Sequence, residues 1–331
     1  MHSSAAAERV LRLLSKGIRT MDASVVISTW NRASSLSRTL NSFAGMQPVP
    51  GGWELIVIDN NSTDDTKAVC AERAGTLPLR YVFDPVPGKW GALNRVIPTT
   101  HGRLLAFTDD DVDVEPGWLA ALCSAAGRHP DAAFFGGRVV PRWEAPPPRW
   151  LAERAEGELR GLSVCCNFGS HERPLPAEDG VFLGANMAFR RCVFEAGRSF
   201  PESLGPRGLT RYPGGETRLM TDLHADAVKA VWVPDAVVHH RNGAARATEA
   251  YLRQWYAGEG RSLVVDGTIG NVGPAWLGVP RYLLRRWVAS AVVYVSARWF
   301  TSPSVWLPAE IQMARTGGAI GEFWRRRRQA A

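Results

Sequence analysis

Apolar residues in the first third of the chain gather into short runs rich in β-branched and aromatic side chains: "ASVVIST" (Ala23–Thr29), "WELIVID" (Trp53–Asp59), "LRYVFD" (Leu79–Asp84) and "RLLAFTD" (Arg103–Asp109). Runs of this length and make-up predict strands. The more polar segments between them, "RASSLSRTLNSFAG", "STDDTKAVCAERAG" and "GKWGALNRVIPTT", read as helices. Strands alternating with helices predict βαβ units, and hence an α/β fold with a mostly parallel sheet. In such sheets ligands bind beyond the carboxyl ends of the strands. That rule collects Ser28, Thr29, Asn31 and Arg32 from the first strand, Asp59, Asn60 and Asn61 from the second, and Asp109, Asp110 and Asp111 from the fourth.

The fourth strand raises the sharpest question. "FTDDDVDV" sets Asp109, Asp110, Asp111 and Asp113 directly behind an apolar run. Carboxylates this close repel unless a cation sits among them or water solvates them fully. One reading is an acidic turn capping the helix "EPGWLAALCSAAG", entered through Pro116. The other is a cation-holding rim, which the remaining polar strand ends favour. No GxGxxG follows the first strand and no GxxxxGK[ST] occurs, which argues against a dinucleotide dehydrogenase and a P-loop enzyme.

In the second half "FLGANMAFRR" reads as a strand, "FPESLGPRG" as a loop, "GGETRLMTDLHADAVKA" as a helix opened by two glycines, and "VPDAVVHHR" as a strand that turns His239 and His240 to opposite faces. "PRWEAPPPRWL" is Pro-rich and irregular. Trp30, Trp90, Trp143 and Trp150 fall in segments that read as loops near the rim, where they are either stacking faces for a ligand or core fillers.

A chain of 331 residues suits one elaborated domain or two smaller ones. Five cysteines without a CxxC spacing give neither a disulfide framework nor a zinc site, and fit a reducing cytoplasm. The apolar run at the N-terminus is too short for a signal peptide, and no stretch reaches the roughly 18 to 20 apolar residues of a membrane span. A soluble or peripheral protein is expected.

Charge is unevenly spread. From Arg241 onward there are 13 Arg, no Lys and 5 acids, whereas residues 1–240 hold 26 basic and 27 acidic side chains. The segments "RYLLRRWVASAVVYVSARWF" and "EFWRRRRQ" read as basic, Trp-bearing amphipathic helices, of the kind that lie on anionic membrane surfaces. The alternative is a set of helices packed on the core with solvated arginines.

Taken in order, "SVVISTWNRASSLSRTL", "LIVIDNNSTDDT", "GKWGALNRVI", "FTDDDVDVEPGWL", "FLGANMAFRR", "GGETRL" and "VPDAVVHHR" resemble a family 2 glycosyltransferase of GT-A fold over about Ser24 to Ser262. The resemblance implies a Rossmann-like, mostly parallel sheet flanked by helices, with a C-terminal helical extension. It divides the chain into an N-terminal helical arm (1–22), a GT-A domain (23–243, its nucleotide-sugar half 23–114 and acceptor half 115–243) and a basic Trp/Arg-rich extension (244–331).

The resemblance also assigns residues. Thr29, Asn31, Arg32 and Asp59 would hold the nucleotide. Asp109 and Asp111 match the D-x-D motif, which holds Mn²⁺ or Mg²⁺ against the departing diphosphate. Asp109 would reach the ribose or the metal and Asp111 would ligate directly; Asp110 is their strand-end neighbour on the donor side, and Asp113 a helix cap. Lys89 and Asn94 would face the diphosphate or sugar, with Gly88 allowing close backbone approach. His240 would join the metal shell. Glu216 falls at the catalytic base position, where the family usually has Asp, and Gly215 replaces the usual preceding acid; Asp222 is the weaker alternative base.

The implied reaction is inverting transfer of a sugar from a nucleoside-diphosphate donor, of uridine type, to a hydroxyl of a glycan or lipid-linked glycan. Competing readings are a sugar-phosphate nucleotidyltransferase, whose Gly-rich basic first loop is absent after "ISTW", and a non-catalytic nucleic-acid-binding or membrane-binding protein acting through the basic tail. Confinement of the charge to the tail, with acids on the rim, argues against nucleic acid.

Overall fold

The computed structural model describes residues 9–10, 21–205 and 212–330. The arm expected at residues 1–22 therefore lies almost wholly outside the described residues, as does the end of the "FPESLGPRG" loop. Two compact units emerge, one drawn from residues 1–144, 154–202 and 216–242, the other from 145–153, 203–215 and 243–331.

The first unit is built on one sheet. Its strands are β1 (Met21–Thr29), β2 (Trp53–Asp59), β3 (Leu79–Phe83), β4 (Gly102–Thr108), β5 (Val112–Val114), β6 (Ala132–Trp143), β7 (Arg173–Pro174), β8 (Met187–Arg190) and β9 (Lys229–Asn242). They run in the order β3-β2-β1-β4-β8-β6-β9-β5, with β7 on β9. From β3 to β4 every pairing is parallel, with Thr29 opposite Asp59 and Ile27 opposite Thr108. Val25, Val26, Ile27, Leu55, Ile56, Val57 and Ile58 are buried without alternation, as expected of parallel strands covered on both faces.

Beyond β4 the sheet is mixed rather than mostly parallel: β8 is antiparallel to β4 and β6, while β9 is parallel to β6 and antiparallel to β5. The longer helices of this unit are α1 (Ala33–Phe43), α2 (Thr66–Arg73), α3 (Lys89–Val96), α4 (Trp118–Arg128) and α5 (Gly215–Ala225). On α1 the buried positions Leu36, Thr39, Leu40 and Phe43 recur every three to four residues, so one stripe faces inward.

Four sequence expectations are corrected. "FLGANMAFRR" is a strand only from Met187, because the Asn186 amide closes a turn onto Leu183 O at 2.9 Å. The helix expected to run to Ala230 stops at Ala225; Ala227 adopts φ 57°, and Lys229 already pairs in β9. Asp113 is no helix cap, since it lies in β5 and α4 begins at Trp118. Trp90, Trp143 and Trp150 are not loop residues: Trp90 lies in α3, stacked on Phe200 with centroids 4.8 Å apart, Trp143 ends β6, and Trp150 lies in a one-turn helix, Arg149–Ala152.

The second unit carries α6 (Glu249–Val265), α7 (Arg281–Ala297) and α8 (Pro303–Ala330), with a two-stranded hairpin of Ala275–Trp276 and Val279–Pro280. Helices α6 and α8 touch backbone to backbone. A Cβ at Gly260 would stand 1.8 Å from Arg315 O, and one at Gly318 2.0 Å from Ala257 O. No helix among the described residues is long and apolar enough to cross a membrane.

Candidate active site

The carboxyl ends of β1, β2 and β4 converge as the parallel register requires, and each aspartate of the acidic loop meets a cation or donor. Asp110, buried, accepts from Thr29 Oγ1 at 2.7 Å and from Arg32 Nη1 at 2.6 Å. The same Arg32 nitrogen reaches Asp111 Oδ2 at 3.0 Å. Asp109 accepts from Lys89 Nζ. Asp113 pairs with Arg241 and, at 3.3 Å, with Arg142. Loop backbone is held as well: Ser35 and Thr39 hydroxyls donate to Asp110 O at 2.8 and 2.9 Å. The repulsion implied by four neighbouring carboxylates is thereby offset by Thr29 of β1, Arg32 between β1 and α1, Lys89 of α3, Arg142 of β6 and Arg241 of β9.

Electrostatics follow from this packing. Burial pushes the Asp110 carboxyl above the ordinary carboxylate range, against the pull of Arg32. Burial works to lower the Lys89 ammonium, but Asp109 and then Glu216 hold it charged and raise it overall. Glu216, in the first turn of α5, is raised by burial while Lys89 opposes the rise. Lys89 thus links the acidic loop electrostatically to the start of α5. The Gly184 backbone stands beside the Glu216 carboxyl, a Cβ there falling 3.6 Å away, and the next residue, Ala185, takes a 2.8 Å hydrogen bond from Thr108 at the end of β4.

Asp109, Asp111 and His240 bring a potential ligand atom each to within 4.8 Å of one another. The histidine supplies a test of fit. Asn242 Nδ2 donates to Ser163 O at 2.7 Å, which turns its Oδ1 toward His240 Nδ1 at 2.9 Å and makes that nitrogen the N–H. His240 Nε2 then presents its lone pair 3.1 Å from Asp111 Oδ1. Two acceptors face each other in a buried place, an arrangement that needs a proton or a cation between them. Two carboxylates and one imidazole, the latter oriented by an amide behind it, suit a divalent ion such as Mn²⁺.

Other expected residues occupy loop-forming roles. Asp59 accepts from Ser62 N at 2.8 Å and from Tyr81 Oη at 2.7 Å; burial, then the carboxylate, raise the phenol. Asn31, in the left-handed region at φ 50°, accepts from Thr63 N at 2.7 Å and so ties the β1 rim to the β2 rim. Asn94 spends its amide on the Phe200 backbone, donating to O at 2.8 Å and accepting from N at 3.0 Å. Gly88, at φ 132°, donates to Asn60 Oδ1 at 2.7 Å and opens α3 where Lys89 projects. His239 lies on the face of β9 opposite to His240, 2.9 Å from Glu115. Asp222 lies 2.9 Å from Arg218 on the exposed side of α5.

Three residues escaped the sequence reading. Arg241 binds Asp113, Ser35 O at 2.9 Å and Thr39 Oγ1 at 2.8 Å, clamping the acidic loop; its place after His240 in the "VPDAVVHHR" strand was the available signal. Asn242 orients His240, and period-two alternation puts both on one face of β9. Asn186, fully buried, accepts from Trp118 Nε1 at 2.8 Å and donates to Arg138 O at 2.9 Å and Ala236 O at 2.7 Å. Nothing in local sequence distinguishes it from a loop asparagine.

The mixed sheet flanked by helices is that of a GT-A glycosyltransferase. The model of the family "Glycosyl transferase family 2" matches residues 24–197, and the chain belongs to that family. It is 26% identical over 275 residues to the succinoglycan biosynthesis protein ExoM of Rhizobium meliloti, covering 78% of this chain and 79% of that protein. It is 27% identical over 228 residues to the glucosyl-dolichyl phosphate glucuronosyltransferase of Haloferax volcanii, covering 67% and 69%. Among solved structures it resembles the mannosyltransferase PcManGT of Pyrobaculum calidifontis in complex with GDP-Man and Mn²⁺ (TM-score 0.58, 19% identity, 96% and 94% of the two chains). It also resembles S. aureus TarS 1–349 with UDP-GlcNAc (TM-score 0.55, 12% identity, 94% and 92%). At these identities the structural likeness shows the fold.

Proposed function

We propose that this glycosyltransferase is an inverting, metal-dependent enzyme of the cytoplasm that moves a sugar from a UDP-linked donor to a hydroxyl of a glycan or lipid-linked glycan. The observation that carries the reading is the convergence of Asp109, Asp111 and His240 within 4.8 Å at the β4 rim, with Glu216 coupled to the same rim through Lys89. Arg32 and Lys89 bind the acidic loop and would turn toward the donor diphosphate as it enters. Thr29, Asn31, Asp59 and Asp110 would shape the nucleotide side, with Asn94 fixing the Phe200 backbone behind it. Asp109, Asp111 and His240 would hold Mn²⁺ or Mg²⁺, which would supply positive charge to balance that of the departing diphosphate.

In the step itself the acceptor oxygen forms a bond to the anomeric carbon while the bond from that carbon to the diphosphate oxygen breaks. The electron pair leaves with the diphosphate and the acceptor proton passes to Glu216. Burial suits Glu216 to this role, because a raised pKa makes its carboxylate a stronger base. Direct displacement from the opposite face inverts the anomeric centre. Names of relatives lend the acceptor class support: one acts on a glucosyl-dolichyl phosphate, and another, from Rhizobium johnstonii, is a dodecaprenyl-phosphate galacturonate synthase. The test is turnover of a panel of UDP- and GDP-sugars with Mn²⁺ and with a chelator. Release of UDP that requires the ion supports the reading; equal release with the chelator, or release from GDP-sugars alone, overturns the metal or the donor assignment respectively.

A further inference from the structure

Within the helical unit the surface of α7 is divided along its length. Its first turns expose Arg281, Tyr282, Arg285 and Arg286. From Val288 onward the exposed positions become apolar: Val288, Val292 and Val295 recur every three to four residues and form one stripe. Trp299 and Phe300 follow at the turn into α8, where they are 81% and 88% exposed. Val292 and Val295 are 63% and 64% exposed. The stripe from Val288 to Trp299 is roughly 16 Å long at 1.5 Å per residue. Residues 281–300 include four Arg and no Asp or Glu.

The other arginines of this unit, Arg298 at the end of the segment included, are largely spoken for. Arg253 pairs with Glu310 at 2.6 Å, Arg298 with Glu249 at 2.9 Å, Arg315 with Glu259 at 2.9 Å, and Arg325 and Arg326 both with Glu322. A basic tail acting as a diffuse electrostatic anchor would need these charges free. What remains is an aromatic tip, an apolar stripe behind it, and a basic collar at the far end. Solvent exposure of two adjacent large aromatic residues is costly without an apolar partner.

We infer that the α7–α8 turn is a membrane-docking wedge, in which Trp299, Phe300 and the valine stripe enter the headgroup and acyl boundary of an anionic bilayer while Arg281 and Arg285 meet the lipid phosphates. Charge complementarity selects this occupant, since the face is cationic at one end, apolar at the other and free of carboxylates along residues 281–300. Insertion of the tip dominates and the arginines orient the helix, so attachment survives salt that would strip a purely electrostatic anchor.

The experiment is co-sedimentation of the full chain with phosphatidylcholine vesicles, with and without about one-third phosphatidylglycerol, at low and at about 0.5 M NaCl. The variants are Trp299→Ser/Phe300→Ser and Arg281→Gln/Arg285→Gln. Exposed positions leave the fold intact, which an unchanged melting temperature verifies. Wild type is expected to sediment with anionic vesicles and to keep part of that binding in high salt. The tip variant is expected to lose partitioning about tenfold or more, and the arginine variant to lose less, with what remains insensitive to salt. Equal partitioning of wild type and tip variant overturns the inference. So does complete loss of wild-type binding in high salt, or a wild-type dimer in light scattering that the tip variant lacks, which would place a second copy on the patch. No donor or acceptor is present, so the outcome is independent of the proposed reaction.

Discussion

His240 Nε2 lies 3.1 Å from Asp111 Oδ1 while Asn242, through a 2.9 Å hydrogen bond, fixes the N–H on the opposite ring nitrogen. The ring is thus held as a ligand would be, and the amide behind it sets the tautomer. Asp111→Asn should abolish Mn²⁺ binding. Asn242→Leu, which touches no ligand atom, should weaken it by roughly ten- to a hundredfold, as loss of an orienting partner does elsewhere. Titration of free Mn²⁺ by electron paramagnetic resonance measures both. Unchanged affinity in Asp111→Asn would exclude the site.

The link between Lys89 and Glu216 gives a pH prediction. Burial raises the Glu216 carboxyl and Lys89 opposes that rise. Only the ionised carboxylate accepts a proton, so activity should climb as pH rises through this raised value. The acid limb should stand above the ordinary Glu value of about 4.3. Lys89→Met removes the opposing charge and should move the limb to higher pH, whereas Glu216→Gln should lower turnover by roughly 10² to 10⁴ with donor binding kept. A pH–rate profile of kcat for wild type and Lys89→Met decides it. A limb that stays in place uncouples the two residues.

The strand pattern of the first third of the chain is kept in the structure. β-Branched runs became β1 to β4 because parallel strands are buried on both faces and leave an uninterrupted apolar signature. The acidic loop was visible because four aspartates within five residues have few structural explanations. Long-range partners were hidden. Arg241 and Thr39 meet across some two hundred positions, and no local pattern records that pairing. The same holds for Asn186 and Trp118, 68 residues apart. "FLGANMAFRR" failed as a strand for a related reason: its first half satisfies its polar groups through a turn and a buried amide, which resembles strand composition until the partners are seen.

Asn186 is the clearest stability test. Its side chain satisfies a buried indole N–H, one buried backbone carbonyl and one half-buried one. Asn186→Ala leaves three polar groups without partners, each costing about 1 kcal/mol or more. A loss of about 3 kcal/mol is expected, or roughly 6 to 12 °C in melting temperature for a unit of this size. Asn186→Asp restores the acceptor but not the two donors and should recover only part. Thermal unfolding followed by circular dichroism reads both; a shift below about 2 °C in Asn186→Ala would show that water replaces the amide.

The last prediction sets three glycines of the helical unit against one another. Glycine in a helix interior costs up to about 1 kcal/mol relative to alanine, so its replacement stabilises wherever a methyl group fits. At Gly321 nothing lies within 4 Å of the added Cβ, and Gly321→Ala should raise the melting temperature by a degree or more. At Gly260 and Gly318 the same methyl would meet the carbonyl oxygens of Arg315 and Ala257, at 1.8 and 2.0 Å. A backbone atom cannot rotate aside as a side chain can, so α6 and α8 would have to separate along their length. Forced repacking of this kind costs about 1 to 3 kcal/mol or more and outweighs the helix-propensity gain. Gly260→Ala and Gly318→Ala should therefore lower the melting temperature, while Gly321→Ala, on the same helix as Gly318 and three residues away, raises it. Calorimetry on the three variants tests the sign at each position. A stabilising Gly318→Ala would mean that the two helices are not in backbone contact there.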